Sequence, residues 1–171
     1  VVGRALSFDT ATVNRYLNLP QVKALLPRDV KLLWGIKASD PGETIFDLYA
    51  IKANTRDGKA PLDGGVVTEA REEYSQHGAS AEVSMVMNAA GARSWARLTA
   101  DNIGRSVAIV LDGYVYSAPR VNQEIEGGRS SITGNFTIQE AKDLANVLKS
   151  GKLPAPARII QDTVVGPSLG Q

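Results

Sequence analysis

Residues 104–151 read GRSVAIVLDGYVYSAPRVNQEIEGGRSSITGNFTIQEAKDLANVLKSG, and this stretch decides the fold of the chain. Near its start, two β-branched and aromatic runs flank Asp112-Gly113. An Asp-Gly pair between such runs predicts a β-hairpin, because a type I′ turn needs positive φ at both central positions. A two-residue loop also sets the strand register, so Ile109 should lie opposite Tyr116.

The same stretch ends in a helix with clear start and stop signals. Thr137 and Glu140 have the spacing of a capping box, in which each side chain accepts a hydrogen bond from the other residue's backbone N–H. Gly151 is placed to end the helix in a left-handed conformation. An apolar stripe at helical spacing predicts that one face packs on a sheet. The residues of this stripe are Ala141, Leu144, Ala145 and Leu148.

Further strands are predicted at 31–37, 44–53, 69–75 and 81–87, and Asn88 is placed to cap a second helix. From residue 81 the order is strand, helix, hairpin, strand, helix, strand. This order predicts an α+β fold, a ferredoxin-like βαββαβ variant whose antiparallel-dominated sheet over 81–164 carries two helices on one face.

The chain is expected to divide near residue 60. Residues 55–65 are rich in Gly, Asp, Lys and Pro, and they are the best candidate for a boundary. Residues 1–60 are then an N-terminal elaboration of short helices and a strand pair. Residues 61–171 form the main unit, with a last strand toward the C-terminus.

Composition excludes several classes of function. The chain has 171 residues, of which 43% are hydrophobic and 22% charged, with a net charge of +1 and no cysteine. A nearly neutral chain is not expected to bind nucleic acid. Without cysteine there is no disulfide, thiol catalysis or thiolate metal site. No apolar run approaches the 18 residues expected of a membrane-spanning helix.

Residues with catalytic chemistry are few. The single histidine, His77, has Ser75 and Ser80 nearby, but no acid is placed to orient its ring, so we interpret it as a solvated loop residue. Glu124 and Glu126 fit a solvated turn better than a cation site, since calcium needs several converging oxygens. The sequence therefore predicts no metal, no cofactor and no enzyme activity.

Four separated blocks carry a family resemblance, in order and with the expected spacing. They are VSMVMNAAGARSWARLTADNIG (83–104), SVAIVLDGYVYSAP (106–119), GNFTIQEAKDLANVLKSGKLPAP (134–156) and VVGPSLG (164–170). Together they closely resemble the first periplasmic domain of the SecD/SecDF protein-export family, over a region from about residue 66 to 170. Residues 61–171 would be mostly its head subdomain, and the last strand would lead toward a transmembrane helix absent from this chain.

The resemblance implies a function that the residues alone do not. In this family the head is thought to hold the unfolded preprotein as it emerges from the SecYEG channel. SecD works there with SecF on the periplasmic side of the bacterial inner membrane, driven by the proton-motive force. The full-length protein would be a multi-pass membrane protein, and this chain would meet the membrane only through helices that it lacks.

An unfolded polypeptide is bound most simply at a sheet edge or in an apolar groove. The candidate contact residues are the hairpin aromatics and the apolar residues of the N-terminal segment, namely Tyr114, Tyr116, Tyr16, Leu17, Val22 and Leu25. All of them could instead be packing residues. Two rival functions stay open: a module that docks a folded partner of the same complex, and a small periplasmic hydrolase that uses His77.

Overall fold

A computed structural model describes residues 1–53, 60–74 and 80–150. These residues form eight strands and four α-helices. The strands are β1 (Gly3–Leu6), β2 (Val30–Ala38), β3 (Ile45–Lys52), β4 (Val67–Tyr74), β5 (Ala81–Met87), β6 (Ile109–Leu111), β7 (Tyr114–Ser117) and β8 (Arg129–Phe136). The helices are α1 (Thr10–Leu17), α2 (Pro20–Leu25), α3 (Ala89–Asp101) and α4 (Ile138–Ser150). The predicted last strand and Gly151 lie outside the described residues.

The strands form two sheets, one of five strands in the order β1-β3-β2-β7-β6 and one of three in the order β4-β5-β8. All neighbouring strands are antiparallel except β2 and β7, which are parallel with Gly35 opposite Val115. The predicted mixture of helices with mainly antiparallel sheets is therefore confirmed.

The prediction of one ferredoxin-like sheet over residues 81–164 is wrong for the described part of the chain. The hairpin β6–β7 pairs with β2, from the first 60 residues, and not with β5 or β8. At the junction Gly35 and Val115 are both buried, so the pairing removes apolar surface from water. Nothing local in either segment indicates this partner, because the two strands are far apart in the sequence.

The predicted hairpin turn is confirmed. Asp112 has φ 51° and Gly113 has φ 78°, as a type I′ turn requires. The predicted register holds close to the turn but not beyond it, since Ile109 lies opposite Ser117 rather than Tyr116. An irregularity between Ile109 and Val110 shifts the pairing by one residue. Such a bulge places two residues of one strand against one of the other.

Both helix starts have the predicted caps. The Thr137 hydroxyl accepts a hydrogen bond from the Glu140 N–H at 3.2 Å, and the Glu140 carboxylate accepts one from the Thr137 N–H at 2.7 Å. The Asn88 side chain accepts from the Gly91 N–H at 2.8 Å and caps α3. The buried residues of α4 are those of the predicted stripe, Ala141, Leu144, Ala145 and Leu148.

The main hydrophobic core lies on one face of the three-stranded sheet. It contains the alternate residues of β5 that share this face, together with Trp95 of α3 and Leu144 of α4. Both helices therefore pack on the same face of this sheet. Ile109 and Tyr116 of the hairpin pack against this core from the five-stranded sheet. The hairpin therefore belongs to the five-stranded sheet and also packs against the core of the three-stranded sheet. A cleft remains where the five-stranded sheet approaches β8.

Candidate functional site

The structure gives the two hairpin tyrosines different environments. Tyr114, at the turn, is 45% exposed, so its ring is available to a partner. Tyr116 packs against the core, and its burial raises the pKa of its phenol, with a further contribution from the charge of Asp112. Tyr116 is therefore a packing residue, and Tyr114 is the member of the predicted pair that can contact another molecule.

The N-terminal candidates lie on α1 and α2. Tyr16 is 56% exposed and Leu25 is 84% exposed, whereas Leu17 and Val22 are half-buried. The Arg15 guanidinium carbon lies 5.6 Å from the centroid of the Tyr16 ring, within the range of a cation–π contact. The alternation of exposed and half-buried residues indicates that only one side of this segment packs on the domain.

Sequence reasoning missed part of this surface. Phe8 and Leu19 are also exposed and belong to the same N-terminal segment. We call the exposed apolar residues of this segment the N-terminal apolar surface; they are Val1, Val2, Leu6, Phe8, Tyr16, Leu19 and Leu25. The indole N–H of Trp34 donates to the Asn14 side-chain oxygen at 2.8 Å, which attaches α1 to β2. Because β2 also pairs with β7, the N-terminal candidates on α1 and the hairpin candidates on β7 both belong to elements attached to β2.

A groove of about 410 Å³ lies between α3, the start of β8, the segment before β6 and the segment 119–125. Four consecutive residues of β8, 130–133, line it. Successive side chains of a strand point to opposite faces, so four in a row can line one groove only where the groove follows the strand's edge. No strand of the described residues pairs with that edge of β8, whose only neighbour is β5.

Trp95 forms part of the groove wall and carries a buried polar group that has no partner among the residues the structure describes. The residue is 7% exposed, and its indole Nε1–H has no hydrogen-bond acceptor in the described part of the chain. A buried donor without a partner loses its hydrogen bond to water and gains none in return, which costs about 1–3 kcal/mol. No signal in the sequence identifies this group, because Trp95 has the spacing of an ordinary core residue of α3.

Hydrogen bonds hold the groove's outer wall in place. The Thr99 hydroxyl on α3 accepts from the Ile125 N–H at 2.9 Å. Backbone bonds join Val121 to both Gly104 and Arg105 at 2.7 and 2.8 Å. The segment 119–125 is therefore attached to α3 and to the chain that follows it, so the groove is formed before anything binds.

The far part of the β8 edge is held by side chains from the five-stranded sheet. The Thr133 carbonyl accepts from the Ser117 hydroxyl at 3.2 Å, and the Asn135 carbonyl accepts from the Lys37 ammonium at 2.8 Å. Lys37 also forms an ion pair with Glu140 of the capping box. Burial raises the pKa of Glu140, but the hydrogen bonds from Lys37 and Thr137 outweigh burial, and the pKa is lowered overall.

The described residues contain no group of three or more acidic, histidine or cysteine side chains placed to hold a metal ion. His77, the residue of the hydrolase hypothesis, lies outside the described ranges. Within those ranges no helix has the length and apolar character needed to cross a membrane.

A family model described as the SecDF P1 head subdomain matches residues 49–155. The protein translocase subunit SecD of Rhodothermus marinus is 46% identical over 174 residues, covering 100% of this chain and 27% of the relative. SecD of Magnetococcus marinus is 34% identical, covering 99% of this chain and 31% of the relative. The chain thus spans less than a third of the length of these relatives.

Solved structures agree with this match. A crystal structure of SecDF in a super-membrane-facing form has a TM-score of 0.52 and 32% identity, covering 85% of this chain and 17% of that one. A structure titled as a membrane component SecDF that enhances protein export has a TM-score of 0.51 and 33% identity, covering 85% of this chain and 57% of that one. These relatives are named protein translocase subunits, in agreement with the prediction that the chain is not an enzyme. The chain therefore belongs to the SecD family of protein translocase subunits and contains the SecDF P1 head subdomain.

Proposed function

We propose that this chain contacts the unfolded preprotein as it emerges from the SecYEG channel, on the periplasmic side of the inner membrane. The observation that carries the proposal is the exposure of large apolar side chains, Tyr16, Leu25 and Tyr114, in a chain similar to a SecDF described as enhancing protein export. Large apolar side chains that stay exposed on a folded domain can mark surfaces that bind other molecules. An unfolded polypeptide offers many apolar side chains and no fixed shape, so such a surface can bind it without sequence preference.

The proposed role is to hold the polypeptide, not to drive it. The proton-motive force would act through membrane helices elsewhere in SecD and in SecF, and the chain would respond to their movement. Binding should be weak and reversible, since a protein that assists transport must also release its substrate. Removal of this domain from SecD should therefore leave the protein in the membrane but impair export.

The test is photo-crosslinking in cells that make SecD carrying this chain, with a preprotein arrested during export. A photoreactive amino acid replaces Tyr16 or Tyr114, and Lys142 is the control position. Lys142 is an exposed residue of α4 that lies on no strand and outside both candidate surfaces. We expect crosslinks to the arrested preprotein from position 16 or 114 and not from position 142.

Two outcomes would contradict the proposal. Crosslinks from Tyr16 and Tyr114 only to folded subunits of the complex would identify a docking module, the first rival function. Normal export after clean removal of the domain would refute a role in polypeptide handling. The second rival, a hydrolase, would require turnover that is lost in His77→Ala.

A further inference from the structure

We propose that the N-terminal apolar surface binds a lipid bilayer that carries anionic headgroups. Its apolar side chains would enter the boundary between headgroups and acyl chains, and the cations beside them would lie near the lipid phosphates. This inference goes beyond the proposed function, because its ligand is lipid and its test needs no polypeptide. Tyr114 lies on β7, outside this surface, whereas at Tyr16 and Leu25 lipid and polypeptide would compete for the same side chains.

The first argument is the charge of the segment that contains α1 and α2. Residues 10–28 include no acidic residue and three cations, which are Arg15, Lys23 and Arg28. All three are exposed, and none forms an ion pair with a carboxylate in the described part of the chain. Of the acids on either side, Asp9 precedes the segment and Asp29 lies 3.9 Å from the Lys52 ammonium. An exposed cationic segment of this kind is attracted to anionic lipid.

The second argument is that apolar side chains and cations lie beside one another along this segment. The Arg15 guanidinium carbon lies 5.6 Å from the centroid of the Tyr16 ring. The Leu19 N–H donates to the Tyr16 carbonyl at 3.1 Å, and the Lys23 N–H donates to the Leu19 carbonyl at 2.9 Å. The exposed residues Tyr16, Leu19 and Lys23 are therefore neighbours at helical spacing. Aromatic and leucine side chains with lysine or arginine beside them are typical of helices that lie in a bilayer interface.

The third argument is that the other side of these helices is already packed on the domain. Val13, Leu17 and Val22 are half-buried, and the Asn14 side-chain oxygen accepts the hydrogen bond from the Trp34 indole. These contacts hold α1 and α2 in place, so their exposed side faces outward without rearrangement. The surface is formed before lipid binds, and binding therefore costs little ordering of the chain.

Other exposed aromatic residues have acidic neighbours. Tyr114 lies two residues after Asp112, and Tyr74 directly follows Glu72 and Glu73. Carboxylates are repelled by anionic headgroups. The charge pattern therefore favours lipid as the ligand of the N-terminal apolar surface and not of the hairpin or of β4.

The family of the chain makes a bilayer an available partner. The chain belongs to the SecD family, and a similar SecDF is described as a membrane component. A domain that is attached to a membrane protein meets the bilayer at a high effective concentration, so a weak attraction is sufficient.

Vesicle co-sedimentation of the 171-residue chain tests the ligand. The probe is vesicles made of equal parts of phosphatidylglycerol and phosphatidylcholine, and vesicles of phosphatidylcholine alone are the comparison. We expect the chain to bind the anionic vesicles, to bind the neutral vesicles at least about tenfold more weakly, and to dissociate as the salt concentration is raised.

Two pairs of variants test the location. Lys23→Glu reverses a charge on α2, and Lys142→Glu makes the same change at an exposed position of α4. Leu25→Ser removes an apolar side chain of the surface, and Ile103→Ser does so at an exposed position outside it. We expect binding to anionic vesicles to be roughly tenfold weaker in Lys23→Glu and also weaker in Leu25→Ser, with little change in the two controls. Circular dichroism shows whether all four variants are folded.

Fluorescence gives a second readout that does not depend on weakened variants. Tyr16→Trp places a reporter on the surface, and Tyr74→Trp places one on β4, where acidic residues precede it. Anionic vesicles should shift the emission of Tyr16→Trp to shorter wavelength, because the ring at this position leaves water. The emission of Tyr74→Trp should respond no more than that of the wild-type chain.

The outcomes separate the two proposals. Absence of binding to anionic vesicles would overturn the lipid site and leave the proposed polypeptide contact untouched. Equal losses in Lys23→Glu and Lys142→Glu would also overturn it, because the attraction would then follow net charge and not this surface. Equal binding to neutral and anionic vesicles would refute the argument from charge. Self-association of the chain that is lost in Leu25→Ser would make a second copy the occupant of the surface.

Discussion

Replacing Gly113 with valine should destabilise the domain through the backbone alone. Gly113 has φ 78°, and a Cβ built there would meet no heavy atom within 4 Å. Steric clash with neighbours therefore contributes nothing. What remains is the cost of holding a β-branched residue in the left-handed region, about 1–3 kcal/mol. For a chain of this size each kcal/mol lowers the melting temperature by about 2–4 °C.

Two variants show whether this reasoning is right. Gly113→Asn should cost much less than Gly113→Val, since asparagine adopts positive φ more readily than β-branched residues. Gly127 has φ 79° and equally open surroundings but lies outside the hairpin, so Gly127→Val should cost a similar amount. Thermal unfolding followed by circular dichroism measures all three. An unchanged melting temperature in Gly113→Val, or an equal loss with asparagine, would refute the argument.

Two further predictions concern the ends of the long helices. Gly91→Ala should destabilise by about 1–3 kcal/mol although alanine favours helices, because its Cβ would come within 2.6 Å of the Val66 Cβ. Denaturant unfolding should show this cost shrinking in a Val66→Gly background, and a gain in stability would contradict it. The pKa of Glu140 is lowered in the folded protein, so its ionised carboxylate contributes to the free energy of unfolding. This contribution is fully present above the unfolded pKa, near 4.5, and is lost as the pH falls through the folded pKa. In Glu140→Gln the free energy of unfolding should therefore decrease less steeply as the pH is lowered than in the wild-type chain. Identical pH profiles of the variant and the wild type would show that the ion pair with Lys37 contributes little.

The sequence identified apolar residues that could form contact surfaces, but it could not predict which of their side chains are exposed. Their apolar character made Tyr16 and Leu25 candidates, yet it could not separate them from Leu17, which is half-buried one residue away from Tyr16. The same holds for Tyr114 and Tyr116. Exposure depends on which face of an element meets the rest of the domain, and this is a property of the assembled layers.

The groove was beyond sequence reasoning for a different reason. Its walls come from α3, β8 and the segment 119–125, and they include Trp95, whose buried indole N–H has no acceptor among the described residues. A missing partner leaves no pattern in the sequence, because Trp95 occupies an ordinary core position of an amphipathic helix. Only the positions of the neighbouring groups show that the indole N–H has no acceptor within residues 1–53, 60–74 and 80–150.

By itself, the sequence determined the elements that are stabilised by interactions between residues close together in the chain. The Asp112-Gly113 turn, the Thr137–Glu140 capping box and the Asn88 cap depend on backbone angles and hydrogen bonds between near neighbours, so residue types alone specify them. The tertiary structure decided how the strands are shared between sheets. The parallel pairing of β2 with β7 joins residues 80 positions apart, at Gly35 and Val115. Many strands could offer the same backbone hydrogen bonds, and burial of apolar surface across the whole domain selects the partner.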